Sequence, residues 1–160
     1  AEAIPGRQFE HGGRIDDAAG DPALHDEVAL ERGVRVVAFA RGRLGWRTPG
    51  MEVVQLHTIG RKSGQRRTVL LTAPLRIGND FVVVASRGGD DEHPEWYRNL
   101  LAQPEVDVTT RDGDRPMTAR VVQGDERSAL WEQIVSHQRL YAFHQRRTRR
   151  EIPVVGLSPR

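Results

Sequence analysis

An α+β domain built on a small barrel or curled sheet with flanking helices is what this 160-residue sequence predicts. Three observations carry that reading. Apolar runs of strand length recur from Glu52 onward, separated by short turns rich in Gly and Asp. Helical segments stand at the front, middle and back of the chain, not interleaved with every strand as a doubly wound parallel sheet requires. The length suits one core rather than two.

The elements follow in order. Residues 1–21 are polar, Gly-rich and aperiodic ("HGGRIDDAAGDP"), and predict a loose arm ahead of a single domain over 22–160. Pro22 opens a predicted helix through "ALHDEVALERGVRVVAFARGRL", on a partial stripe that includes Leu24 and Val28; Gly33 and the β-branched run after it weaken the stripe. "GRLGWRTPGM" reads as a turn-rich linker. "EVVQLHTI" predicts a strand, Gly60–Gln65 a turn, "TVLLTAPLRI" a second strand, "GND" a tight connection and "FVVVAS" a third strand. "HPEWYRNLLAQP" predicts a helix opened by proline, with Trp96, Leu100 and Leu101 as its apolar face and a stop at Pro104. "EVDVTT" and "MTARVVQ" are short strands joined across an Asp-Gly turn. A longer helix starts at Asp125 or Glu126 and runs through "ERSALWEQIVSHQRLYAFHQ", and "IPVVGL" closes as a strand.

Composition narrows the chemistry. No cysteine is present, which removes disulfides, thiolate catalysis and cysteine-held metals and fits a reducing, cytoplasmic setting. Net charge is +2, and Lys62 is the single lysine among 24 basic residues. Arginine is the residue suited to bidentate recognition of phosphate and carboxylate. No window predicts a transmembrane segment, which leaves room for peripheral membrane contact alone. There is no GxSxG, no HExxH and no GxxxxGK[ST], and the six histidines lack metal-ligand spacing.

Two loops stand out. "HTIGRKSGQRRT" gathers Arg61, Lys62, Arg66 and Arg67 with Gly60, Ser63 and Gly64. Glycines let backbone N–H groups turn inward, serine adds a donor, and the cations add charge-assisted bonds. The same composition also makes an ordinary solvated hairpin. "VVVASRGGDD" ends a strand in Ala85, Ser86, Arg87, Gly88 and Gly89, small residues beside which a flat ligand can approach. Trp96 reads as core and Tyr97 as reaching a polar partner. Tyr141 reads as a half-buried packing residue that could also donate a proton. "HQRRTRR" could extend an anion-binding surface, contact nucleic acid or solubilise a helix end.

Taken together, "HTIGRKSGQRRT", "FVVVASRGGDDEHPEWYRNLLAQPEVDV" and "IPVVGL" resemble the deazaflavin-dependent nitroreductase family, whose members use coenzyme F420; the likeness runs from about Leu44 to Leu157. The resemblance implies a flavin-binding split β-barrel. It implies that Gly60, Arg61, Lys62, Ser63, Gly64 and Arg67 hold the phosphate-bearing part of the cofactor, with Arg66 facing solvent. It implies that Ala85, Ser86, Arg87, Gly88 and Gly89 lie by the deazaflavin ring, and that the helix carrying His93, Pro94, Trp96, Tyr97, Asn99 and Leu100 flanks it. Tyr141 falls near a tyrosine on the substrate side. Arg87 replaces the usual lysine, and Val69, Leu70 and Leu71 replace the usual Thr-Pro-Leu. The "QRRTRR" tail replaces an aromatic-rich substrate helix.

The expected function is hydride transfer from reduced F420 to a quinone, a nitro compound or an activated enone or imine, with Tyr141 as candidate proton donor. The alternatives are a non-enzymatic F420 carrier or sensor, an FMN-dependent oxidoreductase, and a small barrel binding nucleic acid. A small-molecule substrate and no nucleic acid are the expected partners, and the oligomeric state is left open.

Overall fold

The computed structural model describes residues 50–160 throughout and, as backbone alone, four short strands before them. These are β1 (Val28–Leu30), β2 (Ala38–Phe39), β3 (Arg43–Leu44) and β4 (Arg47–Thr48). The arm expected over residues 1–21 lies outside the described residues. The helix expected from Pro22 is corrected wherever that stretch is described: β1, β2 and β3 are extended. β1 pairs in parallel with Thr68–Leu70, and β2 pairs with β3. Tertiary pairing to an open sheet edge overrides the partial helical stripe.

The rest of the chain is β5 (Met51–Ile59), β6 (Arg66–Ala73), β7 (Leu75–Ile77), β8 (Asp80–Val84), α1 (Glu95–Ala102), β9 (Glu105–Thr110), β10 (Gly113–Val121), α2 (Gly124–His137), α3 (Arg139–Arg147) and β11 (Val154–Pro159). The main sheet runs β1-β6-β5-β9-β10-β11-β8-β7, with β4 paired to Met51 and Glu52 of β5, ahead of the β5 residues that pair with β9. Apart from β1, every pairing is antiparallel. The sheet curls into a half-barrel, the split β-barrel architecture, with helices against it.

Two expected elements divide. "TVLLTAPLRI" splits at Pro74 into β6 and β7, because proline has no N–H to give the ladder. The long C-terminal helix splits at Gln138 into α2 and α3. Ser136 Oγ donates to Gln133 O and His137 Nδ1 bonds the same carbonyl, both at 2.8 Å. Side-chain bonds of this kind compete with continuation of the helix.

Strand alternation sorts side chains into two cores. Val54, Leu56, Val69, Leu71, Phe81 and Val83, with Val106, Val108, Met117, Val155 and Leu157, fill the concave side. Trp96, Tyr97 and Leu100 of α1 plug that core. Leu101 does not join them: it is 56% exposed, since residue 101 lies about 100° around the helix from Leu100. The opposite parity of β8 and β11 (Val82, Val84, Val154) packs on Leu130, Ile134 and Tyr141 of α2 and α3. One helix therefore sits inside the half-barrel and two sit outside it.

Candidate active site

The β5–β6 connection, Gly60–Gln65, is a closed backbone ring. Gly60 N–H donates to Gln65 O (2.8 Å) and Gly64 N–H to Gly60 O (2.7 Å). Gly64 has φ +68°, the left-handed region glycine favours. A Cβ on Gly60 would meet Ser63 Oγ at 2.6 Å and Gln65 O at 3.3 Å, so a larger residue there requires the serine side chain to shift. Ser63 Oγ accepts from Gln65 N–H (3.3 Å), which fixes the serine inside the turn.

α1 pins this ring. Asn99, 5% exposed, accepts from Arg61 N–H and from Arg61 Nη1 through the same Oδ1, at 3.2 Å each. Its Nδ2 donates to the buried Thr58 hydroxyl (3.3 Å). Arg61 also pairs with Glu95 at 2.5 Å, and that bond holds the Glu95 carboxyl below the ordinary carboxylate range. Part of the charge on Arg61 is thus committed to α1.

Lys62, Arg66 and Arg67 are exposed and make no ion pair among the described residues. Register separates the two arginines. Arg67 stands opposite Thr58, on the face that looks toward Asn99 and the α1 side. Arg66 stands opposite Ile59, on the convex face, where it lines a cavity of ≈ 150 Å³ with His57, Gln103, Glu105, Asp107 and Arg160. His57 is buried there between the Thr68 hydroxyl (Nδ1, 2.7 Å) and the Thr109 hydroxyl (Nε2, 2.8 Å). Lys62 and Arg67 with the Gly60–Gln65 ring form a cationic cradle of the chemistry a phosphate needs.

The second loop runs from the end of β8 to the start of α1. Arg87, Gly88 and Gly89 have φ of +47°, +68° and +83° in succession, a left-handed run that turns the chain sharply. Ala85 and Ser86 are buried. A Cβ on Gly89 would meet His144 O at 2.5 Å and Arg147 Cβ at 2.9 Å, so α3 lies directly against this turn. Arg87 pairs with Glu92 (3.2 Å) and Asp90 (3.6 Å).

Arg150, which the sequence does not single out, organises the whole loop. Its Nε donates to Asp90 O (2.7 Å), its Nη2 to Ser86 O (2.9 Å), and its Nη1 to both Ala85 O and His93 Nδ1 (3.2 Å each). Thr148 Oγ1 donates to Asp91 (2.8 Å) beside it. Within "HQRRTRR" nothing in composition tells Arg150 from its neighbours; its role depends on where the chain returns after α3.

α1 joins both loops: Glu95 and Asn99 hold the first, while His93, just ahead of the helix, touches the second through Arg150. The His93 ring lies on Tyr97 at 4.9 Å between centroids. Burial raises the Tyr97 hydroxyl above its usual range. Trp96 meets Tyr97 edge-on, and its buried Nε1–H has no acceptor among the described residues. The sequence-picked residues of the two loops and α1 therefore gather around one helix. Tyr141 belongs to the outer core instead: it is 5% exposed and its hydroxyl bonds Thr72 Oγ1 at 2.9 Å. Among the described residues no three His, Asp or Glu side chains group to hold a metal, and no helix is long and apolar enough to cross a membrane.

The family model described as F420H(2)-dependent quinone reductase matches residues 31–159. An F420H(2)-dependent quinone reductase of Mycobacterium tuberculosis is 41% identical over 142 residues, covering 86% of this chain and 89% of that protein. A solved F420-H2 dependent reductase is 39% identical with a TM-score of 0.60, over 66% of this chain and 93% of that one. A second solved structure, described as a domain-swapped dimer, has the same identity and TM-score over 66% of this chain and 79% of its own. The nitroreductase-type likeness read from the motifs thus resolves to a named group, and the chain belongs to the F420H(2)-dependent quinone reductase family.

Proposed function

We propose that this chain transfers a hydride from reduced F420 to a small quinone-like acceptor. The observation that carries the reading is the cationic cradle of Lys62 and Arg67 on a closed glycine ring, pinned to the same helix that borders the Ala85–Gly89 turn. The charges of Lys62 and Arg67, which make no ion pair among the described residues, fit the phosphate of F420, and the Gly60–Gln65 ring supplies the close backbone approach. Arg61 contributes by locking the ring to Glu95 and Asn99 and stays within reach of the same anion.

When bound, the deazaflavin supplies the hydride; quinone reduction to the hydroquinone then needs one further proton. The chain supplies anchoring, orientation and exclusion of water. Ala85, Ser86, Arg87, Gly88 and Gly89 form the wall for the flat ring in this reading, with Trp96 and Tyr97 buttressing it from α1. Asn99 acts through Arg61. Tyr141 is the candidate proton donor from the resemblance. Its bond to Thr72 supports a packing role as well, and Tyr141→Phe separates the two: proton donation requires a fall in kcat, packing a fall in Tm. The absence of cysteine supports a cytoplasmic site of action.

The test is titration of the purified protein with F420 and with FMN, followed by quinone-dependent oxidation of reduced F420. Stoichiometric F420 binding with turnover supports the proposal. Binding without turnover favours a carrier or sensor, and FMN binding without F420 binding refutes the proposal.

A further inference from the structure

His93 stands between the two loops with each ring nitrogen in a different situation. Nδ1 accepts from Arg150 Nη1 at 3.2 Å, and that same guanidinium nitrogen also donates to Ala85 O. Guanidinium nitrogens donate and never accept, so Nδ1 carries a lone pair, not a proton. The one proton of the neutral ring must then sit on Nε2. Nε2 has no hydrogen-bond partner among the described residues, and the half-buried side chain keeps access to its surroundings. The ring cannot swing away without leaving both the Tyr97 face and the Arg150 fork.

We propose that His93 is a hydrogen-bond donor of the active site, its Nε2–H offered to the acceptor's carbonyl oxygen, with Arg150 as the positioning residue that sets the tautomer. The assignment rests on the hydride-transfer reading above. As hydride reaches a quinone, negative charge grows on a carbonyl oxygen, and a fixed N–H directed there is worth more in the transition state than before it. A neutral imidazole suits this: it donates a hydrogen bond without delivering its own proton. The surroundings keep the ring neutral. Burial first, then Arg150 and Arg98, push its pKa below the ordinary histidine value. The arrangement also explains why Arg150 spends its fork on Ala85, Ser86 and Asp90 together with His93: donor and ring wall are held in one register.

Two measurements decide it. Nitrogen-15 NMR of histidine-labelled, cofactor-free protein reads the tautomer directly; wild type should show the Nε2–H form at position 93, and Arg150→Lys should shift it toward a mixture. Kinetically, His93→Phe keeps the ring over Tyr97 but removes the donor. It should lower kcat by roughly 10²-fold while F420 affinity stays within about threefold. His93→Gln, which keeps an N–H donor, should recover about tenfold or more of that loss. An Nδ1–H tautomer in wild type, or His93→Phe turnover within about twofold of wild type, overturns the assignment and leaves F420 chemistry standing. Failure of wild type to bind F420 would sink both together.

Discussion

Asn99→Leu isolates the coupling between α1 and the cationic ring. The substitution keeps side-chain volume and removes three hydrogen bonds: from Arg61 N–H and Arg61 Nη1, each 3.2 Å, and to Thr58 Oγ1, 3.3 Å. Thr58 is 1% exposed, so its hydroxyl loses a partner that water cannot easily replace. The Arg61 contacts are partly solvated, and Arg61 keeps Glu95, so their loss is softened. At about 1 kcal/mol for each partly exposed bond and about 1–2 for the buried one, the total is roughly 3–4 kcal/mol. For a chain of this size that lowers Tm by roughly 6–16 °C. Asn99→Asp preserves Oδ1 for Arg61, and should lose less than half as much. Differential scanning calorimetry of both variants, paired with F420 titration, checks this. A Tm change below about 2 °C for Asn99→Leu, or a larger loss for Asn99→Asp, would refute the claim that the amide pins the ring.

Other outcomes follow from the same geometry. Gly89→Ala meets both a positive φ and the His144 carbonyl at 2.5 Å, so it should destabilise by about 2–4 kcal/mol; Gly64→Ala, with φ +68° but open space around it, should cost about 1. Urea denaturation of the pair measures the difference. Phe81→Ala, deep in the barrel core at 1% exposure, should cost about 3–5 kcal/mol in the same assay. His144 has its pKa lowered by burial and then by Arg147. The unfolded chain therefore takes up a proton near pH 6.5 that the folded chain resists, and stability falls as pH drops below that value. His144→Gln should flatten the slope of Tm against pH between about pH 8 and about pH 5, with the part due to His93 remaining.

Much of the architecture was legible because each signal was local. β5, the Gly60–Gln65 turn, α1 and β11 follow from period, glycine placement and proline punctuation. The two loops stand out in the sequence by composition, and register sets Arg67 and Arg66 on opposite faces of β6. The misses share a cause. In the 28–44 stretch, β1 depends on pairing with β6, a contact distant in sequence, and β2 and β3 pair with each other, against a stripe that was helical by period. The break at Gln138 depends on side-chain bonds to Gln133 O, and Leu101 lost its expected place through one step of helical rotation. Arg150 is the clearest case: five arginines stand in "RRTRREIPVVGLSPR", and the one that braces the loop is set by where β11 re-enters the sheet.

The central claim is that the cradle at Lys62 and Arg67 anchors the anionic part of F420. Fluorescence titration of F420 into wild type and into Lys62→Gln/Arg67→Gln tests it most directly. The account predicts one site per chain in wild type and a Kd weakened roughly 10²-fold or more in the double variant, with kcat at saturating cofactor changed by less than about threefold. Equal affinity in the two proteins, or a lost kcat with affinity intact, would contradict it.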